Sequence, residues 1–247
     1  MARLRIGTGS ASEAARFGDA VEAALAPLAD AKRAVGMAAY MRNRFVYLGI
    51  QTPERRAAIK PLVRAFAPVG PAELRAAADV LWAHKEREYQ YAAADLLVHW
   101  RAVFGVDDLE WLLDLARQKS WWDTVDALVK VTGAVVRSAG AKGQKRMDRA
   151  VRDEDFWIRR TAMLHQLGWR AGTDTARLFR YAERLAPETE FFIRKAVGWA
   201  LRDYAWHDWR AVERFLDEAR ERLSPLTCRE ASKNLAALKG DSGKRRA

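Results

Sequence analysis

Similar helical segments recur in this chain at intervals of 35 residues, and this repeat constrains the fold more than any other feature. FWIRR (156–160) resembles FFIRK (191–195), and a step of 35 residues back from FWIRR reaches WWD (121–123). A step of 35 residues forward from RKA (194–196) reaches REA (229–231). A period in the thirties is typical of an α-solenoid, in which each helical unit buries its apolar side against its neighbours. We therefore predict an all-α superhelical solenoid of helical repeats.

The composition favours the same fold. The 247 residues include only 15 Gly and 7 Pro, and the common residues are Ala, Leu, Arg and Glu, which lose little on entering a helix. Short turn signals predict breaks between helices of about ten to fifteen residues. These signals are Leu48-Gly49, Pro68 to Pro71, Phe104 to Asp107, Gly140 to Gly143, Gly168 to Gly172, Pro187 and Pro225. We expect a flexible N-terminal arm over residues 1–16, one repeat domain over 17–239 and a basic tail over 240–247.

The net charge and the cysteine content limit the classes of partner and of site that this chain can have. The formal net charge of +11 favours a polyanionic partner, most simply nucleic acid, although a solvated basic face would explain it too. The single cysteine, Cys228, excludes an intramolecular disulfide, a Cys-ligated zinc and an iron–sulfur cluster. The four histidines lack ligand spacing, and no nucleotide-binding motif occurs, so we predict no metal and no cofactor. Neither a signal peptide nor a membrane-spanning stretch is apparent, so we expect a cytoplasmic protein.

The repeated helices are expected to bring their aromatic and basic pairs together in one concave, basic groove. In KSWWDTVD (119–126), we predict that Ser120 caps a helix, that Trp122 and Asp126 share one helical face, and that the adjacent pair, Trp121 and Val125, enters the core. Trp199 and Arg202 lie three residues apart and are neighbours on their helix, after small residues that permit close approach of another backbone.

A carboxylate between aromatic rings in a basic groove suits the cleavage of a C–N glycosidic bond. Positive charge develops on the sugar in that reaction, and a carboxylate stabilises it and orients the attacking water. A base that is already cationic leaves as a neutral molecule, so no strong general acid is needed. The alternative is ordinary packing, since tryptophan in repeat helices is usually a core residue and a nearby acid is usually solvated.

Several blocks in this order resemble the AlkD-type alkylpurine DNA glycosylases, bacterial base-excision enzymes built from HEAT-like repeats. The resemblance runs from about Val35 to Lys239. Its blocks are MAAYMRNRFVYLGIQTPERR (37–56), REYQYAAADLL (87–97), KSWWDTVD (119–126), FWIRRTAMLHQL (156–167), FFIRKAVGWALRDYA (191–205) and SPLTCREASK (224–233).

The resemblance assigns roles to particular residues. It implies that Asp126 is the catalytic carboxylate, that Trp122 and Trp199 pack against the sugar of the lesion, and that Arg160 lies by the adjacent phosphate. The remaining DNA-binding residues that we predict are Tyr40, Gln51, Thr52, Arg56, Arg202, Arg194 and Lys119. The family is thought to act as a monomer and without a tight pocket for the base, which would permit bulky adducts.

The predicted function is a monofunctional glycosylase that removes cationic N3- or N7-alkylpurines from double-stranded DNA in the bacterial cytoplasm, associated with the nucleoid. A non-catalytic DNA-binding scaffold is the alternative, and a protein-interaction solenoid is a third possibility. Three departures from the family leave the preferred lesion open. They are the long N-terminal arm, the basic segment 140–146, and Gly168 where a basic residue is expected.

Overall fold

A computed structural model describes the backbone of residues 9–244 and the side chains of residues 13–240. The α-helices are α1 (Gly9–Leu25), α2 (Ala31–Tyr40), α3 (Thr52–Ala65), α4 (Pro71–Ala83), α5 (Arg87–His99), α6 (Leu109–Arg117), α7 (Trp122–Ala139), α8 (Ala141–Ala150), α9 (Phe156–Leu164), α10 (Thr175–Leu185), α11 (Phe191–Ala219), α12 (Pro225–Ser232) and α13 (Leu235–Lys244). No β-strand occurs between residues 9 and 244, which confirms the all-α prediction. Within that range, no helix is long and apolar enough to cross a bilayer.

The helices form two compact units, one up to Asp108 and one from Leu109 onward. α1 to α5 belong to the first unit, and α6 to α13 belong to the second. The superhelical arrangement of the whole chain and the single domain over residues 17–239 stay predictions.

Residues 9–16 of the predicted N-terminal arm are helical. Helix α1 begins at Gly9, and Ala14 is buried together with Phe17, Val21 and Leu25. These four positions fall on one helical face, and α1 packs against α4. Residues 9–16 are therefore helical, and only residues 1–8 of the predicted arm lie outside the described part. At the other end α13 continues to Lys244, so residues 245–247 of the predicted tail lie outside it.

The predicted break over residues 140–143 is a single residue. Gly140 has φ +56°, α7 ends just before it, and α8 begins at Ala141. Gly143 lies inside α8, where an added Cβ would be 2.8 Å from Cα of Val136. The glycine-rich sequence thus serves the close packing of α8 on α7 in addition to the turn.

The repeated aromatic residues converge in the core of the second unit. The ring centroid of Trp121 lies 5.7 Å from that of Trp157 and 5.0 Å from that of Phe192. Trp157 and Phe192 are 4.9 Å apart. Trp121 is buried, as predicted, and Trp157 is buried as well, contrary to the expectation that the repeated aromatic pairs face a groove. Their spacing of about 35 residues reflects the packing of α7, α9 and α11 on one another.

Candidate functional site

Asp126 and Arg160 form a bidentate ion pair between α7 and α9. Nε of Arg160 donates to Oδ1 of Asp126 at 2.8 Å, and Nη2 donates to Oδ2 at 2.8 Å. The remaining terminal nitrogen, Nη1, donates to the carbonyl oxygen of Phe192 at 2.6 Å. Arg160 is only 4% exposed. The guanidinium that we predicted beside a DNA phosphate therefore holds the candidate catalytic carboxylate.

The environment of Asp126 acts on its ionisation in two directions. Burial raises the pKa of the Asp126 carboxyl above its ordinary value, and the hydrogen bonds and charge of Arg160 oppose that rise. The side chain of Asp126 keeps 17% of its surface exposed. The site therefore contains a partly accessible carboxylate whose two oxygens are fixed by a buried cation.

The start of α7 explains how this carboxylate is presented. Trp121 and Val125 are buried, as predicted, so Trp122 and Asp126 lie on the less buried side of the helix. The predicted Ser120 cap is wrong, because the N-cap residue is Trp121. The Ser120 hydroxyl instead donates to the carbonyl of Ala116 at 2.8 Å, which ties it to the end of α6.

Lys119 lies in the turn that precedes α7. Its φ of +49° places it in the left-handed region, and its side chain is half-buried. The structure thus places Lys119 at the flank of the helix that carries Asp126, where we predicted a phosphate contact.

A cavity of about 240 Å³ opens beside Asp126. Trp199 lines it, so the structure brings these two predicted residues to the same space. The other lining residues are Val129, Lys130, Gly133, Ala134, His165, Leu167, Gly168, Trp169 and Asp203. The sequence analysis missed Lys130 and Asp203, although each lies four residues after a predicted site residue and so shares its helical face.

Gly168 shapes one wall of this cavity. Its φ of +75° favours glycine, and its backbone N–H donates to Oδ2 of Asp203 at 2.8 Å. A Cβ added at Gly168 would meet no atom within 4 Å. The family resemblance leads us to expect a basic side chain at this position, and the structure has open space there instead.

His165 forms a neutral part of the cavity wall. Burial lowers the pKa of His165 to about 4. Its Nδ1 lies 2.6 Å from the carbonyl oxygen of Ala162, and its Nε2 lies 3.1 Å from Oε1 of Gln144. This histidine is a core residue, and between residues 13 and 240 no group of His, Cys, Asp or Glu could hold a metal ion.

Arg202 lies at the contact between α11 and α12. Its Nη1 donates to Oε2 of Glu230 at 2.9 Å. A Cβ added at Gly198 would lie 2.5 Å from Cβ of Glu230, so the small residue permits the close approach that we predicted. Arg194, also on α11, donates through Nε to the carbonyl of Glu188 at 2.8 Å. Arg202 and Arg194 thus both have protein partners and are half-buried.

The first unit carries the other predicted DNA contacts. Tyr40, Gln51 and Thr52 line a cavity of about 340 Å³, together with Tyr47 and Tyr91. Tyr40 is 74% exposed. The structure therefore brings three of the four predicted residues of this unit to one surface feature.

The turn before α3 holds Gln51 and Thr52 in place. The buried carboxylate of Glu88 accepts the backbone N–H groups of Leu48, Gly49 and Ile50 at 2.9, 2.9 and 3.1 Å. Gly49 has φ +90°, and its Cβ would lie 2.0 Å from the carbonyl oxygen of Asp30. Only glycine fits that position, and the three hydrogen bonds to Glu88 hold the backbone of the turn.

Arg56, the fourth residue of this set, is engaged with an acid. Its Nη2 donates to Oδ1 of Asp95 at 3.0 Å, and the side chain remains 60% exposed. The same carboxylate accepts from the buried Arg55 at 3.1 Å. Arg55 and Arg56 share the carboxylate of Asp95, so these three side chains together keep an excess of one positive charge.

Comparisons with known proteins show the family of this chain. The family described as DNA alkylation repair enzyme matches residues 21–235 of the chain. A solved structure described as a predicted DNA alkylation repair enzyme from Enterococcus faecalis is similar, with 34% sequence identity and a TM-score of 0.75. The similarity covers 84% of this chain and 97% of that chain. No curated protein matches the chain at a significant level.

Proposed function

The chain belongs to the family of DNA alkylation repair enzymes and therefore has a role in DNA repair, and we propose that it is a monofunctional DNA glycosylase. Its reaction is hydrolysis of the N-glycosidic bond of N3- or N7-alkylated purines, such as 3-methyladenine and 7-methylguanine, in duplex DNA. This reaction begins base excision repair. One observation carries the proposal: the Asp126 carboxylate, oriented by Arg160, lies at a cavity that Trp199 also lines.

The chemistry follows from the charge of the lesion. An N3- or N7-alkylated purine is cationic, so when the C1′–N bond breaks the base takes the electron pair and leaves as a neutral molecule. Positive charge then develops on the deoxyribose, and a carboxylate close to C1′ stabilises it. Water adds to C1′ and passes its proton to the Asp126 carboxylate. The products are the free base and an abasic site.

In this mechanism Arg160 is a positioning residue rather than a phosphate contact. Its two hydrogen bonds hold both oxygens of Asp126, and its charge favours the ionised carboxyl against the effect of burial. Trp122 and Trp199 would pack against the sugar of the lesion, where indole faces attract a developing cation by about 0.5–2 kcal/mol each. Because the sugar approaches Asp126, the base itself needs no tight enclosing pocket.

Duplex DNA is the proposed partner, bound by one monomer. The net charge of +11 supports this partner, as does the excess of cations near the candidate contacts. Lys119, Arg194 and Arg202 would contact it from the second unit. Tyr40, Gln51, Thr52 and Arg56 would contact it from the first unit. The expected location is the bacterial cytoplasm, at the nucleoid.

The proposal is tested by incubating the protein with duplex DNA that carries one 7-methylguanine. Released base and alkali-labile sites are quantified for the parent chain and for Asp126→Asn. We expect release by the parent chain only, with salt-sensitive DNA binding by both. Full excision of every cationic adduct by Asp126→Asn would show that the mechanism is wrong. If the parent chain releases no 7-methylguanine, a duplex with a bulky N3-alkyladenine is the next substrate.

A non-catalytic DNA-binding scaffold is the second candidate, and the Asp126–Arg160 pair also favours it. A carboxylate whose charge is matched by a buried guanidinium is the usual arrangement of a structural ion pair. This candidate predicts tight, salt-sensitive DNA binding with no release of methylated or bulky bases. The excision experiment with both lesions therefore separates the two candidates.

A further inference from the structure

Glu230 on α12 gathers three cationic side chains. Its Oε1 accepts from Nζ of Lys195 at 2.8 Å and from Nζ of Lys233 at 2.8 Å. Its Oε2 accepts from Nη1 of Arg202 at 2.9 Å and from Lys233 at 2.8 Å. Lys195 and Arg202 belong to α11, whereas Lys233 directly follows α12. One carboxylate thus joins cations from two elements that are distant in sequence.

The charges in this cluster do not balance. Three cations around one carboxylate leave a local charge of +2. The Glu230 side chain is only 7% exposed, while Lys195, Arg202 and Lys233 keep 36%, 24% and 48% of their surfaces exposed. The negative charge is therefore buried, and the positive charges reach the solvent.

Glu230 remains ionised in this position. Hydrogen bonds from Lys195 and Lys233 lower the pKa of Glu230 to about 2. Gly198 lets the backbone of α12 approach α11 closely enough for the carboxylate to reach Lys195 and Arg202. The cations are consequently held in a defined arrangement before any ligand binds, which reduces the entropic cost of binding.

The cluster lies along the same face of α11 as Trp199. Lys195, Trp199 and Arg202 are spaced by four and three residues, so they form one row on the helix surface. Lys195 and Trp199 are about 6 Å apart along the helix axis. A sugar that packs against Trp199 carries phosphates on either side, and these would lie next to the row.

We propose that Lys195, Arg202 and Lys233 form a phosphate-binding site for the DNA backbone beside Trp199, with Glu230 as the buried positioning residue. This inference rests on the proposed function, since it places the DNA strand that carries the lesion on α11. It adds Lys195 and Lys233 to the candidate DNA contacts, and it gives Arg202 a phosphate as its ligand.

The test measures binding to an undamaged duplex at a series of salt concentrations. Each phosphate neutralised by a cation contributes about 0.9 to the slope of log K against log salt. We expect Lys195→Ala and Lys233→Ala each to reduce the magnitude of that slope by about 1. The double variant should reduce it by about 2. Lys195→Arg and Lys233→Arg should keep the parental slope, because the charge is retained.

Arg220→Ala is the matched control. This arginine is 72% exposed and pairs with Asp217 on the surface, so its loss changes the net charge equally without touching the cluster. A parental slope in the folded double variant would overturn the proposal, as would an equal loss of slope in Arg220→Ala. Since undamaged DNA is used, the result does not depend on excision, and absence of glycosylase activity would not imitate failure of this site.

A second readout separates DNA binding from chemistry. With a 7-methylguanine duplex, Lys195→Ala should raise the protein concentration needed for half-maximal excision and leave the single-turnover rate at saturation unchanged. A lower saturating rate with unchanged affinity would contradict a phosphate-binding role.

Discussion

The guanidinium of Arg160 and the carboxylate of Asp126 meet through two parallel hydrogen bonds of 2.8 Å, 34 residues apart in sequence. This fork-to-fork geometry fixes the orientation of the carboxylate as well as its charge. A lysine at position 160 would retain the charge but would lack the planar pair of donors.

Arg160→Lys should therefore keep DNA binding and reduce excision. We expect a fall in the single-turnover rate on 7-methylguanine DNA of about 10- to 100-fold, the order found when a residue that orients a metal ligand is removed, because Arg160 orients Asp126 in the same way. Arg160→Gln should lose more, because the carboxylate then has no cation. Parental rates in both variants would contradict the positioning role.

The raised pKa of Asp126 predicts an acidic limb in the rate profile. The mechanism needs the ionised carboxylate, so excision should fall as pH decreases. Because burial raises the pKa of Asp126, this fall should occur at a higher pH than the one at which an exposed aspartate is protonated. Single-turnover rates from about pH 4 to 8, corrected for spontaneous base loss, measure this limb.

Arg160→Gln provides the matched comparison for this profile. The hydrogen bonds from Arg160 lower the Asp126 pKa, so their removal should move the acidic limb to higher pH. A limb that stays in place, or that moves to lower pH, would show that another group controls the rate.

The open cavity wall at Gly168 predicts that a larger side chain at this position would change which lesions are excised. Gly168→Gln should extend into the cavity beside Asp126, because an added Cβ there meets no neighbour. We expect excision of a bulky N3-alkyladenine to fall more than excision of 7-methylguanine. The ratio of the two single-turnover rates is the measurement.

Gly168→Ala is the control for backbone strain at this position. Both substitutions adopt the same positive φ, which costs about 1–2 kcal/mol for residues other than glycine. The two variants should therefore lose similar stability, while only Gly168→Gln changes the rate ratio. An equal change of the ratio in both would assign the effect to strain and would refute the size argument.

The contact between α11 and α12 predicts a loss of stability at Gly198. Alanine is the better helix former, but its Cβ would lie 2.5 Å from Cβ of Glu230 and 2.9 Å from the carbonyl oxygen of Thr227. We expect Gly198→Ala to destabilise the protein by about 1–3 kcal/mol, as overpacking does. Thermal unfolding would detect this as a decrease in Tm of roughly 2–4 °C for each kcal/mol.

Gly36 on α2 serves as the opposite case. A Cβ added there meets nothing within 4 Å, so Gly36→Ala should raise the stability by about 0.5–1 kcal/mol through helix propensity. If Gly198→Ala were also stabilising, the close approach of α12 would not be required by the fold.

Much of the local structure could be predicted from the sequence. Helix propensity and the turn signals located most of the helices, since both depend on neighbouring residues. The periodicity around WWD placed Trp121 and Val125 in the core correctly. The helix-capping rule failed at Ser120. Its hydroxyl donates to a backbone carbonyl of α6 and therefore does not cap α7.

The sequence by itself determined the helical class, the helix that carries Asp126 and the residue types available at the site. Only the tertiary structure decided which polar groups meet: the side chain of Arg160 with Asp126, the side chain of Arg202 with Glu230, and the backbone N–H of Gly168 with Asp203. These partners lie between 28 and 35 residues apart. The physical reason is separation along the sequence. Helix formation depends on contacts within about four residues, whereas contacts such as these depend on how whole helices pack.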